Sequence, residues 1–246
     1  MRSGPLMLAL AALAASGAAA QEPERRMLDD AEAAAFRGVG RLNIAGRRFC
    51  SATLISEQVA VTAAHCLYHP RTGRAVPLDE LRFVAGLRRD EVAALRDVTA
   101  SSVPLDFVFD ESLNLSGVRA DIALVALDAP VTAEEAAPLP VGGELAPGDS
   151  VTIVSYARDR SQAASIQEGC VVEMVLEAVA TVPCAVTFGA SGAPVLAGEG
   201  DDRRLAGIVS AIGTMEGGGE LTFVVRLEPH LAALQAQLDA APADGP

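Results

Sequence analysis

From Phe36 onward the chain reads as short apolar runs broken by turn residues. Gly38 to Ile44 forms a strand pattern, Ala45-Gly46-Arg47 turns the chain, and Phe49 to Ile55 and Gln58 to Thr62 give two further strands. Leu81 to Ala85, Val98 to Val103 and Ile122 to Leu127 continue the series. A proline-rich stretch from Asp128 to Pro147 interrupts it. Strand-like runs resume at Val151 to Tyr156, Val171 to Val179, Ala193 to Leu196, Leu205 to Ile212 and Leu221 to Val225. Many short strands with no helical pattern between them predict an all-β barrel or sandwich. The end differs. Leu227, Leu231, Leu234 and Leu238 recur every three or four residues with Pro229 near the start, which predicts an amphipathic helix with proline in its first turn. The expected organisation is two β units, residues 36–130 and 149–226, joined by a linker over 131–148 and closed by a helix over 227–240.

The N-terminus follows another pattern. Arg2 is followed by an almost wholly apolar Pro5 to Ala15 and by the small residues Ala18-Ala19-Ala20. That order predicts a secretory signal peptide over residues 1–20, and hence a secreted or periplasmic protein. Residues 21–35 are charged and alanine-rich, contain Arg25-Arg26, and fit a pro-segment, a linker or a short helix. Any cleavage near Arg25-Arg26 would then only trim a tail.

Composition narrows the choice of partners. Nineteen basic residues, all arginine, face 32 acidic ones, for a net charge of -13. An acidic surface without a basic run repels a phosphate backbone, which argues against nucleic acid as a partner. No internal run is apolar for long enough to predict a membrane span. The four cysteines fall into two near-neighbour pairs, Cys50 with Cys66 and Cys170 with Cys184, and match no zinc spacing. In an exported chain each pair can close a loop of about 15 residues, worth about 3 kcal/mol.

Three local motifs carry candidate chemistry. Val61-Thr62-Ala63-Ala64-His65-Cys66 ends an apolar strand on a histidine beside a cysteine. Asp121 opens the apolar run Ile122 to Leu127, where a carboxylate can be shielded from water yet aimed at a partner. Phe188-Gly189-Ala190-Ser191-Gly192-Ala193-Pro194-Val195 sets a serine in a tight turn of small residues, open to a substrate carbonyl, and backbone N–H groups in such a turn can converge on an oxyanion. Each motif alone is equally well a strand end, a cap or an ordinary turn.

Together, in the order His65, Asp121, Ser191, they resemble the chymotrypsin/trypsin family of serine endopeptidases. The histidine motif T-A-A-H-C stands intact at Thr62 to Cys66 and D-I-A-L at Asp121 to Leu124, while the serine motif is altered to Gly189-Ala190-Ser191-Gly192-Ala193-Pro194. Gly207-Ile208-Val209-Ser210 matches a further strand segment. The resemblance implies an all-β fold of two antiparallel six-stranded barrels with a C-terminal helix and the site between them. It implies Ser191 as nucleophile, His65 as general base, Asp121 as the group that orients it, and the amides of Gly189 and Ser191 as oxyanion hole. Val209, Ser210 and Ala211 would pair with an extended protein or peptide substrate. No metal or other cofactor is expected, and the protein is expected to be a monomer.

Departures from the family pattern bear on activation and specificity. Trypsin has an aspartate before its nucleophile that pairs with a new N-terminus; here Ala190 stands there, as a non-acidic residue does in bacterial extracellular members including the glutamyl endopeptidases. The specificity pocket would lie between Ala185 to Phe188 and Val209 to Gly213. These segments hold no acid to receive Arg or Lys and no histidine of the kind glutamyl endopeptidases use, which predicts a preference for small or medium uncharged residues. Two alternatives compete: a catalytically weak homologue serving as a binding module, and an α/β-hydrolase, which would need G-x-S-x-G and the order Ser, acid, His. His230 is read as exposed on the closing helix.

Overall fold

The computed structural model describes residues 23–110, 114–214 and 218–241. The expected signal peptide lies outside the described residues. The described chain begins with a short strand, β1 (Arg26–Met27), and a helix, α1 (Asp30–Ala35). Six strands follow: β2 (Val39–Ile44), β3 (Arg48–Ser56), β4 (Val59–Thr62), β5 (Leu81–Ala85), β6 (Ala94–Ser102) and β7 (Ala123–Leu127), with the short helix α2 (Leu115–Arg119) before the last. They close into a barrel in the order β2-β3-β4-β7-β6-β5. Closure needs β2 to lie between β3 and β5, and Gly40 permits it: a Cβ there would sit 2.4 Å from the Val84 carbonyl oxygen. Leu42, Leu54, Phe83, Ile122 and Leu124 are fully buried in the main core.

Beyond helix α3 (Ala133–Ala136) the second unit holds β8 (Ser150–Ala157), β9 (Arg160–Val171), β10 (Met174–Leu176), β11 (Val179–Val182), β12 (Pro194–Ala197), β13 (Arg204–Thr214) and β14 (Glu220–Arg226). With β1 they form one antiparallel sheet, β1-β9-β8-β12-β13-β14-β11-β10. Cys170, in β9 near one end of that order, is bonded to Cys184, just after β11 near the other. The sheet therefore curls until its two ends meet, and the bridge spans the seam. A helix, α4 (Glu228–Asp239), ends the described chain. Leu227, Leu234 and Leu238 are buried, and the helix packs back onto β6 and β7 of the first barrel.

Two features differ from the pattern of the sequence. Arg160, Ser161, Gln162, Gln167 and Glu168 interrupt the apolar residues of Arg160–Val171, so its pattern predicts no strand, yet β9 buries Ala163 to Gln167 between β8 and β1. Val171 to Val179 is a reversal rather than one strand: Glu177 takes φ 51°, and β10 folds back on β11. Residues 23–35 are also more than a tail. β1 pairs with β9, Leu28 enters the core, Asp29 and Glu32 form a capping box, and Arg26 bridges Glu32 and Glu168. A cut at Arg25-Arg26 would therefore break β1 and these ion pairs.

Candidate active site

His65 sits in a 3₁₀ turn, Ala64–Leu67, at the end of β4. Cys66, the next residue, is bonded to Cys50 in β3, and the Arg48 guanidinium donates to the carbonyls of Cys66 and Tyr68. The turn is thus held on both sides. β4 pairs with β7 in a register that sets Thr62 opposite Ala123. In an antiparallel pair the chain beyond Thr62 then runs beside the residues before Ala123, which brings His65 alongside Asp121.

The contacts follow from that register. The His65 amide donates to Asp121 Oδ1 at 2.8 Å, and the ring Nδ1 lies 2.7 Å from Oδ2. Ser210 of β13 donates its hydroxyl to the same Oδ2 at 2.6 Å. Three donors satisfy a buried carboxylate, as its burial requires. The Asp121 side chain is 8% exposed and that of His65 32%, so the acid is shielded while the imidazole edge reaches the cleft. Burial by itself lowers the His65 pKa; the charge and hydrogen bond of Asp121 outweigh it, against an opposing push from Arg48, and the net shift is upward. An ionised carboxylate only accepts, so Nδ1 carries the proton and Nε2 of the neutral ring is left as an acceptor.

Ser191 lies in the turn between β11 and β12. Ala190 N–H donates to Thr187, Gly192 N–H to Val209 and Ala193 N–H to Ala190. Among the described residues the amides of Gly189 and Ser191 donate to no carbonyl of this turn. Gly189 and Gly192 take φ 97° and 78°, and a Cβ on Gly192 would lie 2.2 Å from the Ser51 carbonyl oxygen. Ser51 holds the turn from the first barrel: its amide donates to the Ser191 carbonyl at 2.8 Å, and its hydroxyl donates to that of Gly189 at 3.0 Å. Ser51 lies inside the run Phe49 to Ile55, where the apolar pattern predicts only a strand and carries no sign of this contact.

His65, Asp121 and Ser191 line one cleft of about 780 Å³. No hydrogen bond joins Ser191 to His65 among the described residues; such bonds are often long in substrate-free sites. Val209, Ser210 and Ala211 line the same cleft, as do Val186, Thr187 and Phe188, whereas Ala185 and Gly213 do not. Cys50, His65 and Cys66 approach one another closely enough for metal ligation, but both sulfurs are held in the disulfide and offer no thiolate. Ala190 is fully buried. His230 is half-buried rather than exposed, because α4 turns it toward Arg119, and burial lowers its pKa.

A family model described as Trypsin matches residues 28–233. The chain belongs to the trypsin family. That family is one of serine peptidases, and the solved structures similar to this trypsin-family chain agree on the fold. A Glu endopeptidase superposes with a TM-score of 0.73 at 15% identity, covering 90% of this chain and 99% of its own. A thermostable serine protease from an extremophilic microorganism gives 0.67 at 15% identity, covering 85% and 100%. No curated protein sequence matches the chain significantly. Among the described residues no helix of this trypsin-family protein is long and apolar enough to cross a membrane.

Proposed function

We propose that the protein is a secreted serine endopeptidase that hydrolyses peptide bonds through an acyl-enzyme on Ser191. The observation that carries this reading is the His65 imidazole, oriented by Asp121, in the cleft that Ser191 also lines. A neutral serine hydroxyl is a weak nucleophile and needs an adjacent base. The Ser191 proton passes to His65 Nε2 as Oγ bonds to the substrate carbonyl carbon. The imidazolium, stabilised by Asp121, then gives that proton to the leaving amine as the C–N bond breaks, and water repeats the sequence on the ester. The amides of Gly189 and Ser191 meet the oxyanion, each worth about 10²–10³ in rate. Two disulfides support export to an oxidising compartment. The uncharged walls at Val186, Thr187, Val209 and Ala211 favour a small or medium uncharged residue before the cut, since a charged one would be desolvated without compensation.

A fluorophosphonate probe tests the assignment. The wild type is expected to label at Ser191, and Ser191→Ala to lose both label and peptidase activity with the two disulfides intact. Peptide cleavage that survives Ser191→Ala overturns it. A wild-type protein that folds but does not label supports the alternative of a binding module.

A further inference from the structure

We propose that Arg47, Arg48 and Arg158 form a cationic subsite selecting acidic residues immediately after the scissile bond. This rests on the serine-peptidase reading, because that reading says where the leaving half of the substrate must go. In that reading the leaving amine takes its proton from His65 Nε2, which lies beside the Cys50–Cys66 bridge, 3.7 Å from the Cys66 sulfur. Chain after the cut therefore runs out over that bridge, away from Val209 to Ala211.

The elements beside the bridge carry the arginines. Tracing β3 back from Cys50 gives Phe49, then Arg48, then Arg47, and all of these line the cleft. The Phe49 ring abuts the turn of Ser191: a Cβ on Gly189 would come within 2.5 Å of it. Phe188, in that turn, carries the Arg158 guanidinium 4.7 Å from its ring centroid. So two aromatic rings floor the exit side and three guanidinium groups frame it.

Among the described residues, none of the three guanidinium groups is matched by a paired carboxylate. Arg25, Arg26, Arg82, Arg88, Arg96, Arg119 and Arg203 each pair with a carboxylate. None of Arg47, Arg48 and Arg158 does so among the described residues, and the partners of Arg48 are the neutral carbonyls of Cys66 and Tyr68. The only acids among the described lining residues are Asp121, already engaged by His65 and Ser210, and Asp110, on the segment before α2. In a chain of net charge -13, three such arginines at one end of the cleft are a local field of opposite sign. A cleft lined by one sign of charge raises the local concentration of ligands of the other sign. Guanidinium groups also match carboxylate geometry with paired N–H donors.

The experiment starts from a cut site found with a peptide library. Quenched peptides then keep the acyl half fixed and vary the first three residues after the cut among Glu, Gln and Lys. Expected is a Glu over Lys ratio in kcat/KM of about tenfold or more at low ionic strength, narrowing as salt screens exposed charge. The double variant Arg47→Glu/Arg158→Glu should reverse or abolish that ratio. Equal rates for Glu and Lys in the wild type, or a ratio unchanged in the double variant, overturn the proposal. The peptide series on the wild type suffices if the variant does not fold. Labelling of Ser191 separates the two failures: a protein that labels but shows no charge preference refutes the subsite alone, and one that does not label refutes the peptidase reading beneath it.

Discussion

The Ser210 hydroxyl donates to Oδ2 of Asp121 at 2.6 Å, the same oxygen that faces the His65 ring. Ser210 belongs to the second sheet and Asp121 to the first barrel, so this bond ties the two halves together at the group that orients the histidine. In the sequence Ser210 stands out only as a residue of a substrate-pairing strand.

Ser210→Ala should therefore act on catalysis as well as on binding. Removing a donor to a buried charge costs about 1.5–3 kcal/mol where the charge stays unsatisfied. A fall in kcat of roughly tenfold or more is expected, with a lowered thermal midpoint whose drop is limited by the two donors to Asp121 that remain. Steady-state kinetics decide it: a variant altered only in KM would restrict Ser210 to substrate pairing.

The pH profile has a definite sign. The imidazole works as a base only when neutral, and its pKa is raised. The acid limb of kcat/KM should therefore fall at a pH above the ordinary histidine value of about 6.5. Asp121→Asn removes the raising charge. Its acid limb should shift to lower pH, while kcat falls by about 10⁴. The same raised pKa stabilises the fold below the unfolded-state value, and that contribution is lost as pH rises through the folded one.

Gly192 and Gly46 make a controlled pair. Both have positive φ, but a Cβ on Gly192 meets the Ser51 carbonyl oxygen at 2.2 Å and Thr62 Oγ1 at 2.4 Å, whereas nothing lies within 4 Å of one on Gly46. Gly46→Ala should cost about 1 kcal/mol, from backbone conformation alone. Gly192→Ala should cost about 2 kcal/mol or more and abolish labelling at Ser191, because the turn must shift. Denaturant unfolding of both proteins checks the difference.

The N-terminal arm should remain docked in acid. The hydrogen bond from Arg26 holds the Glu32 carboxyl down at about 2, against desolvation and with help from the Asp29 amide. A depressed carboxyl contributes stability in full above its unfolded value, and the contribution declines below that value and is gone once pH has fallen through about 2. Hydrogen exchange at Arg26–Met27 should stay slow at mildly acidic pH and become fast in Glu32→Gln. Equally slow exchange in that variant would show that β1 pairing alone secures the arm.

Local sequence carries the elements whose physics is local. Leu81 to Ala85 is a strand both from its pattern and in the fold because four of its five residues are apolar and only Arg82 faces out, and the leucines of α4 state a helical period that packing only confirms. The motifs around His65, Asp121 and Ser191 were legible for the same reason: each is a short stretch with one polar residue set among apolar or small ones. β9 was not, since burial of Ser165 and Gln167 depends on β8 and β1 lying on either side. The arm at 23–35 is equally ambiguous from its own composition, because only β9, Glu168 and the core show what it binds. Nor could sequence reveal that Ser51 and Ser210 reach across to Ser191's turn and to Asp121, or that Arg158 joins Arg47 and Arg48 at one cleft. Those contacts join residues 89 to 140 positions apart, and only the tertiary fold, by stacking one curled sheet on another, decides which distant polar groups must satisfy each other out of water.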